Sequence, residues 1–168
     1  MIYMGVDLST TSSGIGIFDD DKLIHYECIK PKSKNWEERV GVMFVELDRI
    51  LKSYPIEHIF VEEIPMKDGK PTLIKLSAIR GAFISACYIN NIPFTPRKVN
   101  EWRQDCGFYG DGVKGLKREE MKKKAIEEVK NLFDIDVNDD IAESCLIAYR
   151  TRYPKEEIKG FGRKSKMK

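Results

Sequence analysis

The 168-residue chain has four cysteines and two histidines, and neither kind is grouped. Cys28, Cys87, Cys106 and Cys145 form no close pair and no metal-finger spacing, which excludes a zinc ribbon and gives a disulfide framework no support. Cys87 and Cys145 fall within apolar helical patterns, where a thiol behaves as a small core residue. A reducing compartment, the cytoplasm, is the simplest setting. No apolar run approaches the roughly 20 residues needed to span a bilayer, so no membrane partner is expected. The opening MIYMGVDLS lacks the basic start and cleavage site of a secretion signal, because it reads as structure from the first residue. There is no internal repeat and no linker, and no large excess of one charge, the net value being +2.

What is present fits one well-cored globular domain. The chain is 42% hydrophobic and 33% charged, too apolar for a disordered segment and too short for two ordinary domains. Residues 1–153 are expected to form the domain, with 154–168 a basic, mobile tail. The small net charge hides an uneven distribution. Basic residues gather in VKGLKREEMKKK and again through Arg150, Arg152, Lys155, Lys159, Arg163, Lys164, Lys166 and Lys168. Taken alone, such clusters are as well read as a solvated helix face and a frayed end; they also neutralise phosphates.

Apolar periodicity orders the elements. Residues 2–8, 14–18 and 23–29 read as three strands in an antiparallel meander around an acidic turn at 19–22. The glycines of GIGIF permit close backbone approach. Val40, Phe44, Leu47 and Leu51 recur at helical spacing between 35 and 54, with Asn35 as N-cap and Pro55 marking the end. Residues 59–63 read as a fourth strand, 65–71 as a polar loop, and 73–90 as a helix with Leu76, Ile79, Phe83, Ile84 and Cys87 on one side. A short strand at 92–95, a short helix at 97–104, a glycine-rich loop GFYGDGVKG, and helices at 117–133 and 139–151 complete the chain. A meander followed by crossover units predicts an α/β fold: a mixed five-stranded sheet, part antiparallel and part parallel, with helices on both faces.

Four acidic residues sit where carboxylates are unexpected. Asp7 interrupts an apolar strand, Glu62 ends another in HIFVEE, and Asp140 and Glu143 lie three apart at the mouth of the apolar helix DDIAESCLIAYR. Three apart on a helix is one face. Singly, most have an ordinary structural account: Glu143 as a helix-start acid, Asp140 as an N-cap alongside Asn138 and Asp139, Glu62 as a surface acid with Glu63 beside it. Asp7 has the poorest such account, because an ionised carboxylate in a core costs several kcal/mol without compensation. Together they point to a divalent-metal site of hard oxygen ligands, suited to Mg²⁺ or Mn²⁺, and so to phosphate chemistry.

The segments GVDLSTTSSGIGIF, IFVEEIP, LKREEMKKKAIEEV and DDIAESCLIA, in that order, resemble the RuvC-type Holliday junction resolvases of the ribonuclease H-like superfamily, especially their smaller phage relatives. The likeness covers nearly the whole chain to about Tyr149. It implies a ribonuclease H-like fold and a homodimer that nicks opposing strands of branched, four-way DNA. It also implies two Mg²⁺ per site, with Mn²⁺ substituting, and 5′-phosphate and 3′-hydroxyl ends. By the same resemblance Asp7, Glu62, Asp140 and Glu143 are metal ligands and catalytic, Asp7 bridging, and Lys117 in GLKREE is the active-site lysine. Lys114, Arg118, Arg97, Lys98 and Arg103 are expected phosphate contacts. The family's final carboxylate is commonly Asp where this chain has Glu143, and its junction-opening aromatic falls at Pro65. Phe108 and Tyr109 are therefore expected to stack on a base. The resemblance leaves the branch-migration motor of cellular RuvC unassigned as a partner. Three other readings are weighed: the same kind of nuclease acting on other branched or hybrid nucleic acids; a non-catalytic junction binder, opposed by an acidic cluster that would repel DNA unless metals fill it; and a sugar-kinase or actin-like phosphotransferase, suggested by DLSTTSSG but lacking room for a second lobe.

Overall fold

Along the first strand, β1 (Ile2–Asp7), alternate side chains enter two different cores. Met4 and Val6 pack on one face with Ile15, Ile17, Ile59 and Val61; Tyr3 packs on the other with Phe18 and Trp102. This period of two, set by the pleat, also decides where Asp7 points. The computed structural model describes residues 1–64, 69–109 and 117–155.

β2 (Ser13–Asp19) and β3 (Lys22–Ile29) complete an antiparallel meander with β1, while β4 (His58–Glu62) and β5 (Phe94–Arg97) add in parallel on its other side. The resulting order is β3-β2-β1-β4-β5, the mixed five-stranded sheet expected. One face is covered by α1 (Trp36–Ser53) and α2 (Lys70–Ile89), through Met43, Leu47, Ile50 and Phe83. The other carries α3 (Val99–Asp105), α4 (Arg118–Phe133) and α5 (Asp139–Arg152). Each large apolar side chain withdrawn from water contributes roughly 1.5–3 kcal/mol, so both layers are held to the sheet by many such increments.

Caps fix the helix starts. Asn35 Oδ1 accepts from the backbone N–H of Glu37 at 2.8 Å, as expected, and Asn138 Oδ1 accepts from Ile141 N–H at 3.0 Å. Asn138 rather than Asp140 is thus the cap of α5.

Most bounds fall within a residue or two of expectation, and the shifts at α2 and β5 have a physical reason. α2 begins at Lys70, not 73: Pro71 lies in its first turn, where a missing N–H costs nothing. β5 runs Phe94–Arg97, not 92–95. Asn91 adopts φ 55° and Ile92 N–H bonds back to Cys87 O at 3.0 Å, so closing α2 uses up the first residues expected in the strand. Ile84, expected in the core, is 43% exposed. α2 is also long and apolar enough, by length and composition, to cross a membrane, where no such stretch was expected. Its inner face (Ile79, Phe83, Ala86, Cys87) is buried in the core.

Past α5, Lys155 is held to the domain, and residues 156–168 of the expected tail lie outside the described residues. Lys155 N–H bonds to Asp105 O at 2.8 Å, and its ammonium reaches Glu128 Oε2 at 2.8 Å. Glu128 in turn pairs with Arg150, both buried, tying α4 to α5.

Candidate active site

β1 and β4 are parallel neighbours with Val6 opposite Val61, so Asp7 and Glu62 end adjacent strands side by side. Neighbouring strands lie about 4.8 Å apart. Both residues alternate onto the α5 face, in step with Tyr3 and Phe60 of the second core. Glycines then admit α5 against the sheet. A Cβ on Gly5 would fall 1.9 Å from Ser144 O, one on Gly14 1.9 Å from Asp140 O, and one on Gly16 2.6 Å from Cys145 Sγ. Gly14 is the register partner of Asp7. The first turns of α5, with Asp140 and Glu143, are therefore pressed against the strand ends that carry Asp7 and Glu62.

The charges interact strongly. Burial raises the pKa of Asp7 well above its ordinary value, and the negative charges of Glu62, Glu143 and Asp140 and a hydrogen bond with Glu143 push it the same way. Glu62 is pushed up to about 7 by burial and by Glu143, against the opposing pull of the Trp102 indole, Arg103 and Arg118. Burial also raises Glu143, with Arg103 opposing. Each outlying carboxylate finds a different donor. Trp102 Nε1 donates to Glu62 at 2.9 Å, Arg103 to Glu143 at 3.3 Å and Ser12 Oγ to Asp140 at 2.5 Å. Drawn aside in this way, no three acidic, histidine or cysteine side chains among the described residues close on a common point. The donor set nonetheless suits a hard divalent cation: oxygen ligands only, with repulsion that a cation would relieve.

The neighbours of the two ambiguous carboxylates are committed elsewhere. Asp139 pairs with Lys122 at 2.6 Å, and Glu63 is exposed while Glu62 reaches Trp102. Lys117 is the exposed N-cap of α4, its N–H held by Glu120 at 2.8 Å. Arg118 is exposed and close enough to act on Glu62. Lys98 is exposed at the start of α3; Arg97 pairs with Asp105, and Arg103 with Glu143. Lys114 and Pro65 lie outside the described residues.

Phe108 is a correction. It is 5% exposed, packed with Trp102, Met121 and Ala125, and covered by the Lys124 ammonium at 5.9 Å from its ring centroid. A ring bound into the core has no face left for a base, whereas Tyr109 is 44% exposed. Glycine-rich surroundings suggested an exposed loop, but the apolar ring is buried in the second core.

Sequence reasoning missed Trp102 and Ser12. An indole in a short polar helix, EWRQD, was the available signal for the first. Ser12 is one of five hydroxyls in STTSS, with nothing in the pattern to single it out.

A mixed sheet of this order, with carboxylates at the ends of its central strands, belongs to the ribonuclease H-like fold. Solved structures that share it include two determined with junction DNA. RuvC of Thermus thermophilus, determined in complex with a Holliday junction substrate, superposes with TM-score 0.74 at 18% identity, covering 89% of this chain and 92% of that one. The fowlpox virus resolvase, determined with Holliday junction DNA, gives 0.55 at 23%, covering 91% and 97%. The family model described as crossover junction endodeoxyribonuclease RuvC matches residues 3–142, and the chain belongs to that family. Similar relatives include RuvC of Fusobacterium nucleatum, 28% identical over 157 residues (88% of this chain, 77% of that protein). RuvC of Aliarcobacter butzleri is 29% identical over 159 residues (89% and 99%).

Proposed function

We propose that the chain is a divalent-metal-dependent endodeoxyribonuclease that resolves four-way DNA junctions by paired nicks. The observation that carries this reading is the meeting of Asp7, Glu62, Asp140 and Glu143 at one end of the sheet, in a member of the RuvC family. Asp7, Glu62, Asp140 and Glu143 would hold a pair of Mg²⁺ ions, for which Mn²⁺ would substitute, with Asp7 as the shared ligand, Glu62 and Glu143 serving one ion and Asp140 the other. When bound, such a pair supplies Lewis acidity toward the attacking water and the leaving oxygen of a phosphodiester. Lys117 places its charge beside the scissile phosphate, where negative charge develops. Arg118 and Lys98, both exposed, contact neighbouring phosphates. Arg97 and Arg103 do so on exchanging their carboxylate partners for DNA. Lys114 joins them from the adjoining segment. The enzyme acts in the cytoplasm, and within its family it stands with the smaller phage resolvases.

The working form is a homodimer, which lets one assembly cut two opposing strands. α2 supports this with an outward row, Ile74, Ser77, Gly81, Ile84 and Tyr88, spaced three and four apart as in a helix–helix seam. Ile74 is 61% and Tyr88 82% exposed, and a Cβ on Gly81 would meet nothing within 4 Å. The burial of Phe108 favours a second reading of substrate breadth. With Tyr109 as the exposed aromatic of that pair, junction opening depends less on base wedging, and other branched DNA is accepted too.

The test is incubation of a synthetic four-way junction with Mg²⁺ and either wild type or Asp7→Asn. Paired symmetric nicks from the wild type and none from the variant are expected, with junction binding by the variant retained. A wild type that leaves the junction intact, or a variant that still cuts, overturns the proposal.

A further inference from the structure

We infer that Ser12 is a positioning residue for Asp140, and that the β1–β2 loop sets the spacing between Asp7 and Asp140. The inference rests on the reading of Asp140 as an ion ligand and deepens it.

Asp140 differs from the other carboxylates in what holds it. Glu62 and Glu143 take donors from α3, whereas Oδ2 of Asp140 accepts from the Ser12 hydroxyl across 128 positions of sequence. Ser12 ends the short loop that starts directly after Asp7 and leads into β2. One loop therefore touches two carboxylates that belong to different elements. Among the described residues no donor reaches Asp140 Oδ1, so one oxygen is anchored and the other is left for a ligand.

The loop is braced well enough to act as a reference. Ser9 N–H donates to Ser13 Oγ at 3.0 Å, and Ser13 Oγ donates back to Ser9 O at 3.1 Å. Thr11 N–H reaches Ser9 Oγ at 3.3 Å. From α1, Arg39 donates Nε to Thr10 O at 2.8 Å and Nη1 to Ser33 O and Lys34 O at 3.1 and 2.9 Å. A guanidinium is a rigid fork, so these bonds staple the β1–β2 loop to the segment before α1. Cys28 lies beside both groups, its Sγ 3.1 Å from Ser12 Oγ and within reach of Asp140 Oδ2 at 3.9 Å. An ionised carboxylate accepts only. The serine proton therefore goes to Oδ2 at 2.5 Å, the short contact, and the thiol is the weaker and more distant donor to the same oxygen at 3.9 Å.

The physical consequence is pre-organisation. A carboxylate already held in one orientation loses less freedom when an ion binds. Partners behind metal ligands commonly control affinity by about 10- to 100-fold. A merely structural role for Ser12 would instead depend on its shape.

Threonine and valine separate these roles, since they share a shape and differ by one hydroxyl. Metal-free full-length protein is titrated calorimetrically with Mn²⁺, beside a melting curve taken without metal. Ser12→Ala and Ser12→Val should bind Mn²⁺ roughly tenfold more weakly or worse, while Ser12→Thr stays within about threefold of wild type. If the alanine variant does not melt cooperatively, the Thr and Val pair alone decides. Equal Mn²⁺ affinity for Thr and Val, or a Thr variant as weak as Val, overturns the role of the hydroxyl. A wild type that takes up no Mn²⁺ instead overturns the ion-site reading on which this inference stands.

Discussion

The carbonyl of Asp140 occupies the space that a side chain on Gly14 would need, 1.9 Å from where its Cβ would stand. The obstacle is backbone, which cannot swing aside as a flexible side chain does. Any substituent at Gly14 must therefore push the start of α5 away from the sheet, taking Asp140 and Glu143 with it.

Gly14→Ala should thus lose junction cleavage and destabilise the fold by about 1–3 kcal/mol, the usual penalty of overpacking. Gly41→Ala is the matched control, because a Cβ there meets nothing within 4 Å on the exposed side of α1. It should be stabilising by roughly 0.5–1 kcal/mol, since alanine suits a helix interior better than glycine. Denaturant melts and a cleavage assay on the two variants check both halves. A Gly14→Ala protein that cuts like wild type would show that α5 can move without cost.

The carboxylate cluster should make stability depend on pH in an unusual direction. Asp7, Glu62 and Glu143 all have raised pKa values, Glu62 at about 7 against an ordinary 4.5. Groups raised on folding contribute stability that is fully present below the unfolded value and is lost as pH rises through the folded one. Between about pH 4.5 and pH 7 and somewhat above, the metal-free protein should therefore melt at progressively lower temperature. Mg²⁺ should restore the loss, more at pH 8 than at pH 5, because it competes with protons for the same oxygens. Asp7→Asn should raise the metal-free melting temperature at pH 8 and shrink the response to Mg²⁺. Melting curves in chelator and in Mg²⁺ across that range test this; a flat profile in chelator would mean the carboxylates do not strain the fold.

Glu128 should give the opposite slope at the acid end. Burial opposes its ionisation, but hydrogen bonds from Lys155 and Arg150 outweigh that and hold its pKa below the ordinary 4.5. Its contribution is therefore complete above that value and disappears as pH falls through the lowered one. Removing one partner of a buried pair strands the other, typically at about 3–5 kcal/mol. Glu128→Gln should cost a few kcal/mol at neutral pH and flatten the acid limb of the stability profile, read by urea melts at pH 7 and pH 4. Equal stability of variant and wild type at pH 7 would count against the pair.

The parts of this arrangement that sequence exposes are those with a local cost. Asp7 was legible because a charge inside an apolar strand demands an explanation. The glycines of GIGIF announced close backbone approach, and Gly14 and Gly16 are where α5 arrives. Asn35 announced a helix start and caps one. What stayed hidden was set by partners far along the chain. Phe108 looked exposed amid glycines, yet Trp102 and Met121 supply a core for it. The Ser12 hydroxyl and the Trp102 indole N–H bear on the site only through Asp140 and Glu62, each reached across a long gap in sequence. Ile84 sits in an apolar helix whose two sides read alike, so periodicity could not say which would face out.

That outward side of α2 yields the last prediction. An exposed isoleucine or tyrosine is common on any surface, but Ile74, Ile84 and Tyr88 fall on one line, with Ser77 and Gly81 between them. Small residues at the middle of such a line let two helices approach closely, and the larger ones at either end then fill the flanking grooves. A two-fold axis through Gly81 would set Ile74 of each copy against Tyr88 of the other and Ile84 beside the other copy's Ser77, which is the self-complementary geometry of an isologous interface. Ile84→Glu puts an unpaired charge into the contact on each side of that axis and should convert the protein to monomer. Because the side chain is 43% exposed in the single chain, the fold itself should be spared. Sedimentation velocity with a parallel melt in chelator reads both. A monomeric variant that melts like wild type yet no longer makes paired nicks would tie junction resolution to this face; one that still sediments as a dimer would place the contact elsewhere.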